Sequence, residues 1–199
     1  MLQKPSYRFV RVLAIVFAGA LAWPAAGAAQ TFTGQARAVQ ASAALGTTTL
    51  ADTGTLGGPT DARDATLATG SVASLLSGEV LRAVTVGWPD QVASEASLAN
   101  LALTVGSTGI SAGTVLASVL AVAYAPAIVT STVGDLAING VPVTVTGTPN
   151  QRILIPGGQL VINERIVSPS GTTVNALHAT VFGVADVVIA SATAGISGF

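Results

Sequence analysis

The sequence contains no cysteine, a single histidine and few charged or aromatic residues: 9% of its 199 residues are charged and 5% are aromatic. Without cysteine the chain forms no disulfide and carries no lipid-modified cysteine of the bacterial lipoprotein kind. Its stability must therefore come from burial of apolar side chains. Half of the residues are hydrophobic, more than a domain of this size ordinarily hides, so some of them are expected to be buried between subunits.

The N terminus has the three-part layout of a secretory signal peptide. Three basic residues, Lys4, Arg8 and Arg11, precede an uncharged stretch at residues 12–23. That stretch is too short for a membrane-spanning helix, which needs about 20 residues. Small residues after it favour cleavage following Ala28; cleavage one residue later and a retained anchor are the alternatives. We therefore predict a signal peptide at residues 1–28 and an exported domain at residues 29–199, secreted, at the cell surface or in the periplasm.

Loss of the signal peptide leaves five basic residues against nine acidic ones, a net charge of about −4. A surface that tracks nucleic acid needs its cations clustered on one face. The five remaining cations are instead scattered singly along the chain, at Arg37, Arg63, Arg82, Arg152 and Arg165. The composition therefore argues against a nucleic-acid partner.

Turn-forming residues recur every eight to twelve positions in the exported region, and the stretches between them are rich in Val, Ile, Thr and Ala. This spacing is typical of all-β domains. A chain of about 170 residues is long enough to bury about 70% of its unfolded surface in one core. The sequence thus predicts a single all-β domain, an antiparallel β-sandwich of jelly-roll-like form.

Two hairpins are the sharpest local features. In DLAI-NG-VPVTV, Asn139 and Gly140 both accept the positive φ of a type I′ turn, which would pair Ile138 with Val141. Pro142 then needs its missing N–H to face a sheet edge or a bulge. In RILI-PGG-QLVIN, the strands around the predicted PGG loop are apolar on both faces, which predicts cover from a second sheet or another subunit. A third hairpin is expected to turn at SPSG.

The segment between Glu95 and Asp135 carries no charge and includes SAGTVLASVLAVAYAPAIV. As a helix it would be a plausible membrane span. Buried strands are favoured, because residues 115–124 alternate, Pro126 interrupts the run and no cations flank it.

Two shorter stretches are ambiguous. SVASLLS, at residues 71–77, leaves one or two helical turns and a strand as equal alternatives. A faint echo links NLALTVG at Asn100 with DLAINGV at Asp135, but seven residues are too few to establish a repeat.

Five motifs in order carry a family resemblance: FTGQARAVQASA with TTTLADTG, SEASLANLALTVG, ISAGTVLA, LAINGVPVTVTGTPNQ with VINE, and VNALHATVFGVADVVIASATAGI. From Phe32 to Ile196 the chain resembles the choice-of-anchor P family of bacterial exported proteins. The resemblance implies an extracellular module joined to different C-terminal surface-sorting signals, and it supplies no activity, ligand or catalytic residues. This sequence ends at SGF without a sorting pentapeptide, a hydrophobic helix or a basic tail, so release or non-covalent retention is expected.

The one histidine, His178, is the first candidate for chemistry. In uninterrupted alternation it shares a strand face with Val174, Ala176, Thr180 and Phe182, which predicts a hydrogen-bonded core residue. No GxSxG elbow accompanies it as in a serine hydrolase, and one imidazole among scattered carboxylates offers no metal-ligand spacing.

The carboxylates are the second candidate. Two of them placed about 5 to 10 Å apart around a sugar would suit a glycosidase, and the sequence leaves six to choose from: Glu79, Asp90, Glu95, Asp135, Glu164 and Asp186. Few aromatic residues are present to stack on a sugar, mainly Trp88, Tyr124 and Phe182. Asp61 and Asp64 in TDARD form a weak calcium candidate, although a solvated loop is the favoured interpretation.

No catalytic, cofactor-binding or metal-binding residue is assigned from these observations, and no cofactor is expected. We predict a secreted or cell-surface structural or adhesive module without catalytic activity, an envelope or matrix component that self-associates by adding a strand near residues 141–145. An extracellular domain that binds a glycan or another surface ligand is the alternative, and a hydrolase of unfamiliar type is the third. No transmembrane segment in the mature chain, no nucleic acid and no small-molecule substrate are expected.

Overall fold

The structure is a computed structural model that describes residues 30–44 and 46–198. The predicted signal peptide, residues 1–28, lies outside the described residues. Among those described, no helix is long and apolar enough to cross a membrane. The same residues form thirteen strands: β1 Thr31–Ala43, β2 Gly46–Asp52, β3 Ala62–Val72, β4 Leu76–Trp88, β5 Gln91–Val105, β6 Thr108–Val122, β7 Ile128–Gly134, β8 Ala137–Ile138, β9 Val141–Pro142, β10 Gln151–Ile155, β11 Gly158–Ser168, β12 Gly171–Val181 and β13 Ala185–Ser197.

The strands form two antiparallel sheets with a core of aliphatic and alanine side chains between them. Sheet A has the order β10-β11-β12-β13-β1-β2, and sheet B has the order β3-β4-β5-β6-β8-β9, with β7 also paired to β6. The predicted all-β antiparallel sandwich is confirmed. Its connections are simpler than the jelly-roll-like form expected, which is built from Greek keys. The chain changes sheet after β2 and after β9. The other consecutive strands follow one another as hairpins, except β7 and β8, which both pair with β6.

The predicted Asn139-Gly140 hairpin is confirmed. The two residues have φ values of 50° and 77°, as a type I′ turn requires, and Ile138 pairs with Val141. Pro142 lies in β9, the last strand of sheet B. Its missing N–H therefore breaks no ladder inside the sheet.

The edge formed by β9 is a poor acceptor for an added strand. The strand is two residues long and includes a proline, two of the devices by which sheets block edge pairing. Val143 and Val145 then pack against the core instead of extending the edge. Strand addition at residues 141–145, the predicted route to self-association, is therefore disfavoured.

The predicted PGG loop is one residue too long. Ile155 pairs with Gly158, so the turn consists of Pro156 and Gly157, and the φ of 73° at Gly157 suits a type II turn. Gly158 is the first residue of β11. It must be glycine because a Cβ at this position would lie 1.8 Å from the Thr180 carbonyl oxygen. Close approach to β12, and not turn geometry, explains the second glycine.

The stretch at residues 71–77 is neither a helix nor a continuous strand. It comprises the end of β3, a tight connection at residues 73–75 with Ser74 at a φ of 61°, and the start of β4. The strands predicted between Glu95 and Asp135 are confirmed as β5, β6 and β7.

The echo between NLALTVG and DLAINGV corresponds to equivalent positions in sheet B. Ala102 and Ala137 both pair with Ser111, one from each side of β6. Each segment begins with a residue of positive φ, Asn100 at 49° and Asp135 at 54°. The two stretches therefore enter the sheet at the same height on opposite sides of one strand.

Both sheets interrupt the alternation of their side chains along one transverse row. In sheet A two consecutive residues face the core at this row, for example Ala38 with Val39 and Ala176 with Leu177. In sheet B two consecutive residues face outward instead, as at residues 79–80 and 99–100. The inner side of sheet A and the outer side of sheet B face the same way, so the doubled row points in the same direction in both layers.

Candidate functional site

The interruption of alternation opens a gap on the outer face of sheet A. Outward side chains normally recur every second residue along a strand, but here they are three residues apart on five neighbouring strands. We call the gap between the two resulting rows the crease. Register places one row at Asp52, Arg37, Ser191, Asn175 and Glu164, and the other at Thr49, Gln40, Val188, His178 and Val161.

The crease contains a cavity of about 200 Å³. One extra residue of spacing adds about 3.3 Å between the side-chain rows, and this explains why the cavity lies where it does. Polar groups line most of it, from strands β1, β12 and β13: Gln35, Arg37, Gln40, Thr173, Asn175, Ser191 and Thr193, with Val188 as the apolar member.

His178 lies at one end of the crease between two carboxylates. Its Nδ1 is 2.8 Å from Glu164 Oε2 on β11, and its Nε2 is 2.9 Å from Asp186 Oδ1 on β13. The imidazole thus links three adjacent strands of sheet A. Thr180 Oγ1 is a further neighbour, 3.4 Å from Nε2.

This arrangement fixes the charge of the histidine. The hydrogen bond with Glu164, opposed by partial burial and aided by the charges of Glu164 and Asp186, raises the pKa of His178 from 6.5 to about 9. The same hydrogen bond is the main cause that lowers the pKa of Glu164. At neutral pH the ring is an imidazolium that donates from both nitrogens.

Asn175 joins this cluster to the cavity. Its Nδ2 donates to Glu164 Oε2 at 2.7 Å, which fixes the orientation of the amide. The residue is only 6% exposed and lines the cavity. Its Oδ1 is buried and accepts no hydrogen bond from the described residues.

The opposite end of the crease is a neutral pair. Arg37 Nε lies 3.4 Å from Asp52 Oδ2, and the Arg37 guanidinium also donates to Gln40 Oε1. Gln35 Nε2 donates to Asp52 Oδ1 at 3.0 Å. The carboxylate thus offsets the arginine charge beside the cavity.

The prediction that His178 is a hydrogen-bonded core residue is partly wrong. The side chain is hydrogen-bonded as expected, but it does not face the core. Val174 and Ala176 do point into the core, but the interruption at Ala176 and Leu177 turns the following residues over. His178 therefore lies on the outer face, with a side chain 22% exposed. Phe182, the last of the residues expected on its face, is in the β12–β13 turn.

Of the six carboxylates considered from sequence, Glu164 and Asp186 are brought together around His178. Glu79 accepts a hydrogen bond from Asn100 at 2.7 Å, and Glu95 faces outward from sheet B. The imidazolium between Glu164 and Asp186 occupies the place that a substrate would need between a glycosidase pair.

The weak calcium candidate at Asp61 and Asp64 is not supported by the geometry. Asp61 accepts hydrogen bonds from the Gly57 N–H and from Arg63, both at 2.7 Å, and these lower its pKa. Asp64 lies in β3, beyond that loop. Within the ranges that the structure describes, no cluster of three or more histidine or acidic side chains is placed to hold a metal ion.

The arrangement around His178 suits a structural link between strands better than acid–base catalysis. A general base needs a free lone pair and a pKa near the working pH, whereas both His178 nitrogens are committed and its pKa is about 9. The crease itself is not predictable from the sequence, since two of the strands interrupt their alternation at alanines, Ala51 and Ala190, that no turn rule singles out. Comparison of the chain with protein-family models, with curated proteins and with solved structures gives no match.

Proposed function

We propose that the mature chain is a secreted or cell-surface module with an adhesive, non-catalytic role. The resemblance to the choice-of-anchor P family favours this class, and it remains a prediction. The observation that carries the proposal is the position of an exposed apolar end relative to the two ends of the described chain.

The first and last strands lie side by side in sheet A. Thr31 pairs with Ser197, and the pairing continues to Ala43 with Ala185. An attachment near either Thr31 or Ser197 would therefore hold the domain by the same end. The opposite end would project away from the support.

Five hairpin turns meet at that projecting end, which we call the tip: the β1–β2, β3–β4, β5–β6, β10–β11 and β12–β13 connections. Backbone hydrogen bonds join neighbours within each sheet. Phe182 N donates to Gly157 O at 3.0 Å and links the β12–β13 and β10–β11 turns, and Thr104 N, near the end of β5, donates to Leu75 O in the β3–β4 turn at 2.7 Å.

Large apolar side chains are exposed at the tip. Phe182 is 72% exposed, and Val184 and Leu154 are also exposed. Other exposed apolar side chains, among them Trp88, Tyr124 and Val167, lie outside the tip, so the position of the tip relative to Thr31 and Ser197, and not exposure alone, distinguishes it. Exposed apolar groups that gather in one place mark interaction surfaces. His178 and Asp186, which lie near the β12–β13 turn, are used to join strands, so apolar contact is the role best suited to this end.

The test compares matched valines at the two ends of the domain. Val184→Ser changes a valine at the tip that is 52% exposed, whereas Val167→Ser changes a valine that is 80% exposed, near the Ser168–Gly171 turn at the other end. Beads that display the full mature protein are incubated with producing cells, and bound beads are counted. We expect Val184→Ser, and more strongly Phe182→Ser, to reduce binding several-fold, and Val167→Ser to match the wild type.

Localisation is tested on the same cells by separating medium, surface and membrane fractions, with and without a salt wash. Protein found only in the medium, together with beads that bind no cells, would refute the proposal. Equal loss of binding in Val184→Ser and Val167→Ser would refute the role of the tip.

A further inference from the structure

We propose that the crease on sheet A is a binding site for a neutral, polyhydroxylated ligand, such as one uncharged sugar unit of a glycan. The inference rests on the adhesive function proposed above and names a ligand class and a site for it. It starts from Asn175, a cavity-lining residue whose buried Oδ1 has no hydrogen-bond partner among the described residues.

The unpaired Oδ1 of Asn175 calls for a ligand group that donates a hydrogen bond. Because Asn175 Nδ2 is committed to the Glu164 carboxylate, the amide cannot turn over without losing that bond, and Oδ1 remains an acceptor. A buried acceptor without a partner costs about 1–3 kcal/mol. A hydroxyl or an N–H group that enters the cavity and reaches Oδ1, with a small movement of the Asn175 side chain, would recover this cost.

The rest of the lining offers both donors and acceptors. Thr173 and Thr193 bear hydroxyls 2.8 Å apart, each able to give and to take a hydrogen bond. Ser191 and the Gln35 amide extend the set. A ligand that carries several hydroxyls, each both donor and acceptor, complements such a surface better than a ligand with one kind of group.

Charge disfavours ionised ligands. Asp52 and Glu164 lie along the crease, with Asp186 beside its His178 end, and would repel an anion, while Arg37 and the His178 imidazolium would repel a cation. The opposite charges lie close to one another and largely cancel. The field therefore favours a neutral molecule.

Size and shape suggest one unit of a longer chain. The cavity of about 200 Å³ is smaller than the roughly 300–1,000 Å³ of pockets that enclose a drug-sized ligand, and it is open on the outer face. Val188 gives the floor one apolar surface, against which the C–H side of a sugar ring would pack. Aromatic stacking is not used, since Trp88, Tyr124 and Phe182 do not line this cavity.

The experiment is an NMR titration of the mature protein, labelled with ¹⁵N, with a panel of free neutral sugars, amino sugars and uronic acids, followed by an array of the corresponding immobilised glycans. The free sugars report the site alone, and the array reports glycans as a surface presents them. We expect a neutral sugar to shift the Asn175 side-chain amide and the backbone amides of Ser191 and Thr193.

Two variants locate the site. Ser191→Leu fills the crease and is expected to weaken binding at least tenfold, whereas Thr193→Val removes one hydroxyl at constant shape and is expected to weaken it a few-fold. Ser97→Leu is the matched control, a half-buried serine on the outer face of sheet B. Circular dichroism and the thermal midpoint establish that each variant is folded.

The inference is overturned if no neutral sugar shifts the crease resonances, if acidic sugars bind better than neutral ones, or if Ser191→Leu binds as the wild type does. Bead binding to cells separates this failure from failure of the proposed function. Adhesion that persists while no sugar binds would remove the ligand and keep the adhesive role. Loss of adhesion in the tip variants, with sugar binding intact, would show that the two surfaces act separately.

Discussion

The ion cluster at His178 makes stability depend on pH in a range where almost nothing else titrates. The folded-state pKa of His178 is about 9, against 6.5 for a free histidine. Since the folded value is the higher one, the contribution is fully present below about pH 6.5 and is lost as the pH rises through about 9. Glu164, whose pKa is lowered, contributes above its unfolded value near 4.5 and loses this contribution as the pH falls.

The size of the effect follows from the same values. Each unit of pKa corresponds to about 1.4 kcal/mol, so the full difference is worth about 3 kcal/mol. Solvent screens part of it, because the Asp186 side chain is 52% exposed, and about 2 kcal/mol is the expected loss in the free energy of unfolding between pH 6 and pH 10. The sequence has one histidine and no cysteine, so little besides the α-amino group titrates in this range.

Urea unfolding at constant ionic strength, at intervals from pH 5.5 to pH 10, measures this loss. In His178→Gln the same profile is expected to be flat between pH 6.5 and 9 and to lie about 2 kcal/mol below the wild type at pH 6. The single histidine Cε1–H resonance gives the pKa directly, and Glu164→Gln should lower that pKa. A midpoint at or below 6.5, or parallel profiles for wild type and His178→Gln, would refute the reasoning.

Two further predictions concern the backbone. Val80 has a φ of 49° and is 67% exposed. Val80→Asn should therefore stabilise the protein by about 1 kcal/mol, because asparagine tolerates this conformation. In the same urea assay the control Val167→Asn, at an exposed position of ordinary φ, should be neutral or destabilising. Gly158→Ala should cost more than about 3 kcal/mol, because its Cβ would overlap the Thr180 carbonyl. Gly140→Ala, with no atom within 4 Å but a φ of 77°, should cost only about 1 kcal/mol; equal costs would contradict the packing argument.

The turns that sequence predicted well are those in which the residue type dictates the backbone. Asn139-Gly140 is an example, because both residues accept positive φ and the two-residue loop then sets the register of β8 and β9. The PGG loop was predicted less well. A glycine can serve a turn or a close contact, and only the neighbouring strand shows that Gly158 serves the contact.

His178 shows why a correctly predicted strand can still have a side chain assigned to the wrong face of the sheet. Its strand was expected to alternate without interruption, and one phase change two residues before it moved the side chain from the core to the surface. The partners were equally hidden, since Glu164 and Asp186 lie 14 and 8 residues away in sequence and meet the ring only through the register of three strands.

The crease follows from the same phase change, repeated on neighbouring strands. On β11 the row passes through Asn163, a residue type that readily takes positive φ. On β2 and β13 the same conformation occurs at Ala51 and Ala190, where no residue preference would place it. An alanine there costs about 1–2 kcal/mol and persists because pairing holds the strand: β13 has a ladder on both sides, and the edge strand β2 has one with β1. When one strand shifts its phase, its neighbours must shift at the same height or lose register, so one bend is imposed on the whole sheet. The spacing that admits a ligand beside Asn175 is therefore a property of the sheet, and no single strand's sequence contains it.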